Sequence, residues 1–197
     1  IDPKVLEIIT LLDNLKEKEE EDTALIIAGY FNHKDYLVRS KAFAMASLLP
    51  HPAFLPFMST VLQEDDEEFR LRAIEVLQEI GSAEALQELT QLLKDKNPLI
   101  VRGAVVALGG ISSPESVQTI LEFASSPQGR LVRPELVQEA VSFALQDIKG
   151  QEDLLIRLQA ENANIRRYLR GLDLKRPEIA HFTVYPSADY FSLQAKE

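Results

Sequence analysis

FRLRAIEVLQEIG, residues 69–81, decides the fold. Counted from Phe69, apolar or small residues fall at Ala73, Val76, Leu77 and Ile80, which share one stripe of an α-helix. The same columns return 31 residues earlier as Val38, Ala42, Met45, Ala46 and Leu49, and 31 residues later as Ile100, Ala104, Ala107, Leu108 and Ile111. After a longer connection they return again as Val137, Val141, Ala144, Leu145 and Ile148, and a weaker copy starts at Ile165 with Leu169 and Leu172. A single stripe arises easily by chance. Three in constant register do not, so the chain reads as a repeat.

A second apolar segment precedes each stripe: TALIIAGYF (23–31), AFLPFMSTVL (53–62), ALQELTQLL (85–93), SVQTILEFA (116–124) and DLLIRLQA (153–160). The unit is therefore helix, tight turn, helix. Three residues before each stripe the turn carries Asp35, Asp66, Asn97 and Asn162, side chains that accept hydrogen bonds from the free amides of a helix start. Pro134 takes that column in the fourth copy, where the cap is missing or rearranged. Asp2-Pro3, His51-Pro52, Ser113-Pro114 and Arg133-Pro134 mark further helix starts, and Gly81, Gly150 and Gly171 suit helix ends. The small residue at the second column lets neighbouring helices approach; a larger one overpacks by about 1–3 kcal/mol. A hairpin of this size cannot bury its stripe alone, so each copy relies on its neighbours.

Composition agrees. The 197 residues are 46% hydrophobic, enough for a core, and Leu and Ala outnumber the sparse aromatics, which favours helix over sheet. Without Cys there are no disulfides or thiolate metal sites, as suits a reducing, cytoplasmic setting. No apolar run approaches the ~18 residues of a membrane span, so no membrane partner is expected. Ile1 in place of Met implies a processed product or a piece of a longer chain. The net charge of −10 lies almost wholly in residues 1–100, and an acidic chain repels phosphate backbones, which makes nucleic acid an unlikely partner.

The segments DYLVRSKAFAMASLL (35–49), DEEFRLRAIEVLQEIG (66–81) and NPLIVRGAVVALGGIS (97–112) carry a resemblance. Their Asp-x-x-apolar-Arg start, followed by Ala-x-x-(Ala)-Leu-x-x-Ile-Gly, resembles HEAT repeats, and the short period is similar to those of phycobilisome lyases and many bacterial scaffold proteins. The resemblance covers roughly residues 21–172. It implies an all-α fold: a right-handed α-solenoid superhelix of about five HEAT-like helix pairs, with an N-terminal capping helix (1–20), the repeat array (21–172) and a non-repeat C-terminal tail (173–197). There are departures. Arg39, Arg70 and Arg166 follow the first stripe position, but the third copy has Val101 there with Arg102 next, and the fourth has Gln138.

Outside the array, residues 3–19 read as an amphipathic helix capped by Asp2, with EKEEED (17–22) as a solvated turn. The tail, with HFTVYPSADYFSL (181–193), reads as a folded-back cap, a partner-binding peptide or a disordered segment. Catalytic arrangements are missing. His33, His51 and His181 share no helical face with another ligand, and the His-Glu pairs of HEAT-like di-iron hydroxylases do not occur. No phosphate-binding loop or nucleophile elbow is present. EDDEE (64–68) lacks the spacing that wraps calcium and sits where negative charge complements a helix start. The basic group Arg166, Arg167, Arg170, Lys175 and Arg176 reads as a solvated helix or an acidic-partner site.

The candidate surface is then the concave face that HEAT-like arrays build from their second helices. It is expected at Leu71, Arg72, Glu75, Arg102, Val106, Glu139 and Phe143, an apolar centre with a charged rim. Curvature burying the same residues between helices is the competing reading. The chain is thus expected to be a non-catalytic scaffold or adaptor, without cofactor or metal, that binds another protein or another domain of the same longer chain. The alternative implied by the resemblance is a bilin lyase or lyase subunit, with bilin propionates held by Arg72 or Arg102.

Overall fold

The computed structural model describes residues 2–15 and 21–145, together with 154, 156 and 157. The described residues form helices and connections without a strand. In chain order the helices are α1 (Pro3–Asn14), α2 (Glu21–Ala28), α3 (Tyr36–Leu48), α4 (Leu55–Val61), α5 (Glu67–Ile80), α6 (Ala83–Leu92), α7 (Pro98–Ile111), α8 (Pro114–Ser125) and α9 (Pro134–Leu145). Single 3-10 turns at Pro52–Phe54 and Gly129–Leu131 precede α4 and α9. After α1 the helices follow the expected pairs, α2/α3, α4/α5, α6/α7 and α8/α9. This is the α-solenoid class of all-α fold.

The helix starts lie where the turn column places them. Asp35 Oδ1 accepts from the amides of Leu37 and Val38, Asp66 Oδ1 from those of Glu68 and Phe69, and Asn97 Oδ1 from that of Leu99. Asp2 caps α1 through the Lys4 amide, and Ser113 closes a reciprocal capping box with Ser116 at α8. Gly81 ends α5 in the left-handed conformation at φ 60°, and Ser112 ends α7 at φ 53°. The fifth copy, the basic group from Arg166 to Arg176, the tail, Gly150 and Gly171 lie outside the described residues.

The chain divides into two compact units, Ile1–Ala85 and Leu86–Glu197. In the first, α1 packs on α3, α3 on α5, and α2 and α4 on α3 and α5 respectively. Its core is aromatic. Phe31 lies tilted at 4.7 Å from Phe43 and meets Phe54 edge-on at 5.5 Å, while Phe43 lies 5.4 Å from Phe69. Asp13 of α1 and Lys41 of α3 add an ion pair at 2.6 Å. In the second unit α7, α8 and α9 pack on one another. The core there is aliphatic and small, with Ala104, Ala107, Val117, Ile120, Ala140 and Ala144 fully covered. Ala42, Ala73 and Ala104, the small column, are all inaccessible to solvent, which is the close approach their size permits.

Candidate functional site

An arginine clamp closes the turn of the first two pairs. Arg39, on the first turn of α3, donates its Nε to the carbonyl of Phe31 at 2.5 Å. Its Nη2 reaches Glu64 at 2.7 Å, and its guanidinium carbon lies over Phe69, 3.8 Å from the ring centre. One repeat on, Arg70 of α5 donates its Nε to the carbonyl of Leu62 at 2.8 Å and is 9% exposed. In both cases the acceptor lies eight residues earlier, just past the end of the preceding helix. Those carbonyls have no partner further along their own helix, so the clamp supplies one.

The third pair lacks the clamp, because the same column holds Val101. The carbonyl eight residues earlier belongs to Leu93. There the surface opens into a cleft of about 380 Å³. One wall is the α6–α7 turn and the start of α7, from Leu93 to Arg102; the other is the end of α8, the 3-10 turn and the start of α9. The second wall exists because the connection in the fourth pair is longer: Phe69 to Ile100 spans 31 residues, Ile100 to Val137 spans 37. The extra residues form the 3-10 turn at Gly129–Leu131. Gly129 lets that turn lie against α8, since a Cβ there would run into the carbonyl oxygen of Phe123.

The floor is apolar, made by the buried side chains of Leu93, Phe123 and Leu136. Leu99 and Leu131 also face it, 47% and 88% exposed, so large apolar side chains stand open to water on both walls. The rim is basic. Lys94, Lys96, Arg102 and Arg133 line the cleft against a single acid, Asp95. In a chain of net charge −10 this is a local reversal.

The residues expected on the second helices fare differently. Leu71, Arg72 and Glu75 lie in the first unit, on α5; Leu71 is half-buried and Arg72 pairs with Glu68 at 2.8 Å. Arg102 is half-buried and lines the cleft. Val106 is 5% exposed and belongs to the core, so it does not form the open apolar centre expected of it. The reason is that α7 packs on both α8 and α9, which leaves little of its circumference uncovered. Glu139 is exposed and Phe143 half-buried on α9, and neither lines the cleft. The cleft itself was not inferred from sequence, although both of its signals, Val101 and the long connection, are visible there.

Other polar groups are occupied structurally. His33 and His51 accept backbone amides of Asp35 and Ala53 through Nδ1. In EDDEE, Glu64 pairs with Arg39, Asp66 caps α5, and Glu68 accepts from the Tyr36 hydroxyl at 2.7 Å. Among the described residues no group of three His, Asp or Glu side chains could hold a metal ion, and no helix is long and apolar enough to cross a membrane.

Two carboxyls beside Arg72 titrate in opposite directions. Burial pushes Glu75 up from the usual carboxylate range; Arg72 opposes this and Glu79 adds to it. Burial also works to raise Glu68, but the Tyr36 hydroxyl and Arg72 outweigh it and hold that carboxyl low. A raised folded value means that the folded state binds the proton more tightly than the unfolded chain. Glu75 therefore favours folding below the usual carboxylate range, and that contribution is lost as pH rises through the raised value. Glu68 does the reverse: it stabilises above the usual range and the gain is lost on acidification. Glu75→Gln is expected to melt above the wild type at neutral pH, with the difference closing on acidification; thermal melts from about pH 3 to pH 8 read this directly. A gap independent of pH would assign the effect to packing.

Residues 55–141 match the family model for HEAT repeats. The match covers α4 to most of α9, including both walls of the cleft, and supports the reading of these pairs as HEAT-like repeats. A search of curated proteins finds no significant match.

Proposed function

We propose that this chain is a non-catalytic protein-binding module, a scaffold or adaptor built on HEAT-like repeats. HEAT repeats generally serve protein interaction, and the observation that carries the reading here is the cleft. Leu99 and Leu131 stand exposed over an apolar floor, inside a polar rim, which is how protein interfaces are composed. The partner is another protein or another domain of the same longer chain, and a cytoplasmic location suits a chain without Cys. Leu71, Arg72 and Glu75 on α5 are proposed as a further contact area of the first unit, and Glu139 and Phe143 on α9 as one of the second.

The test is affinity capture from the native lysate with wild type, Leu131→Glu and Leu71→Glu in parallel. The expected result is one stoichiometric protein, its capture weakened by Leu71→Glu and lost with Leu131→Glu. Loss with Leu71→Glu alone, with an unchanged melt, would move the docking surface to α5. An empty eluate for the wild type would overturn the reading.

A bilin lyase of the phycobilisome type is the second reading. Arg102 lines an apolar-floored cleft, as binding of a bilin through its propionates requires. Added free bilin should then change its absorbance in the presence of the wild type but not of Arg102→Gln. An unchanged spectrum with the wild type counts against it.

A further inference from the structure

The cleft lies where two departures from the repeat meet, and each contributes something different. Val101 withdraws the guanidinium that fills the corresponding turn in the two preceding pairs. The longer fourth connection brings Leu131 and Arg133 to the opposite wall. A smaller hollow of about 190 Å³ shares Leu93, Lys94, Phe123 and Gln128 with the cleft and extends it along the end of α8. The space is thus elongated, as an extended chain requires. Of the basic rim only Lys94 reaches the hollow, which also carries Glu122.

We propose that this cleft docks an acidic peptide segment of a partner protein, with a large apolar side chain seated on the floor between Leu99 and Leu131 and carboxylates facing Lys94, Lys96, Arg102 and Arg133. This rests on the protein-binding reading above and names the partner's chemistry. Charge complementarity selects the occupant. A basic or neutral segment gains nothing from the rim, whereas an acidic one is attracted along it. A second copy of this chain, whose acidic residues 1–100 expose Leu25 and Leu48, would show as self-association without peptide, which would overturn the proposal. The apolar anchor supplies affinity by covering exposed leucine surface, and the carboxylates supply orientation and a dependence on salt.

The decisive variant is Val101→Arg. It restores the clamp column on a helix whose start is capped as in α3 and α5, with the Leu93 carbonyl in the acceptor's place. It fills the cleft, yet it also adds a positive charge to the rim, so the two contributions predict opposite outcomes. The probe is a synthetic peptide with a Leu-Leu pair flanked on each side by three glutamates, titrated into the isotopically labelled full chain and followed by amide chemical shifts. The wild type is expected to shift at Leu99, Val101, Arg102, Leu131 and Leu136, with affinity falling severalfold between low and high salt. Val101→Arg should bind at least tenfold more weakly at an equal or higher melting temperature. Leu131→Glu, a change at an exposed position, should also lose binding. Tighter or unchanged binding to Val101→Arg would show nonspecific charge attraction and overturn the proposal, as would shifts outside the cleft or none at millimolar peptide. Failure of the peptide while lysate capture still depends on Leu131 would overturn the acidic class and leave the protein-binding reading standing. Loss of both would overturn both.

Discussion

Gly109→Val is expected to destabilise the second unit by about 3 kcal/mol. On α7 a Cβ at this position would lie 2.9 Å from the carbonyl oxygen of Ala140 and 3.1 Å from its Cα, both backbone atoms of α9. Backbone cannot rotate away as a side-chain tip can, so α7 and α9 must separate. Their contact is the closest-packed part of the unit, with Ala140, Val141 and Ala144 covered on α9 and Ala104, Val105 and Leu108 on α7. Against this stands the helix propensity recovered by replacing Gly, about 0.5 kcal/mol for valine. Overpacking wins. Gly109→Ala should show the same sign at smaller size, because alanine recovers about 1 kcal/mol of propensity and adds only the Cβ. Denaturant midpoints of the two variants test the order; a neutral Gly109→Val would mean that α9 yields without cost.

The repeat was legible because it rests on local rules. The stripe, the Asp or Asn before it and the proline at the helix start each act within one turn of helix. Asp35, Asp66 and Asn97 accordingly cap the helices assigned to them. The site was much less legible. Val101 and the six additional residues before Val137 are separated in sequence, and nothing local says that they face one another. Their juxtaposition is set by how α8 and α9 pack, which depends on a glycine at 129 that reads in the sequence only as one more turn residue. Arg102 was singled out for the second-helix face and lines the cleft at the start of that helix instead. Val106 failed for a related reason. An amphipathic stripe describes a helix with one covered side, whereas α7 is so rich in Gly and Ala that two neighbours close on it.

The arginine clamp gives the other large effect. Arg70→Met is expected to cost about 2–3 kcal/mol. Methionine can occupy much of the space of the aliphatic stem, so burial of that stem is largely kept. The loss includes the Nε–H donated to the Leu62 carbonyl. Leu62 is 2% exposed, and a carbonyl left without its donor in such surroundings carries a desolvation penalty beyond the lost bond. Arg39→Met removes three things at once: the bond to Phe31, the ion pair with Glu64 and the stacking on Phe69. Its cost should exceed that of Arg70→Met by no more than about 1 kcal/mol. The Phe31 carbonyl is left as the Leu62 carbonyl is, and a partly exposed ion pair adds less than about 1 kcal/mol. If Arg39→Met proves far more damaging than that, the guanidinium over Phe69, and not the clamped carbonyl, is what Arg39 chiefly contributes. That result would also change the meaning of Val101. With Val137 in the column where Phe69 receives Arg39, an arginine there would then add little stability, and the third pair would tolerate valine, and an open cleft, at almost no cost to folding.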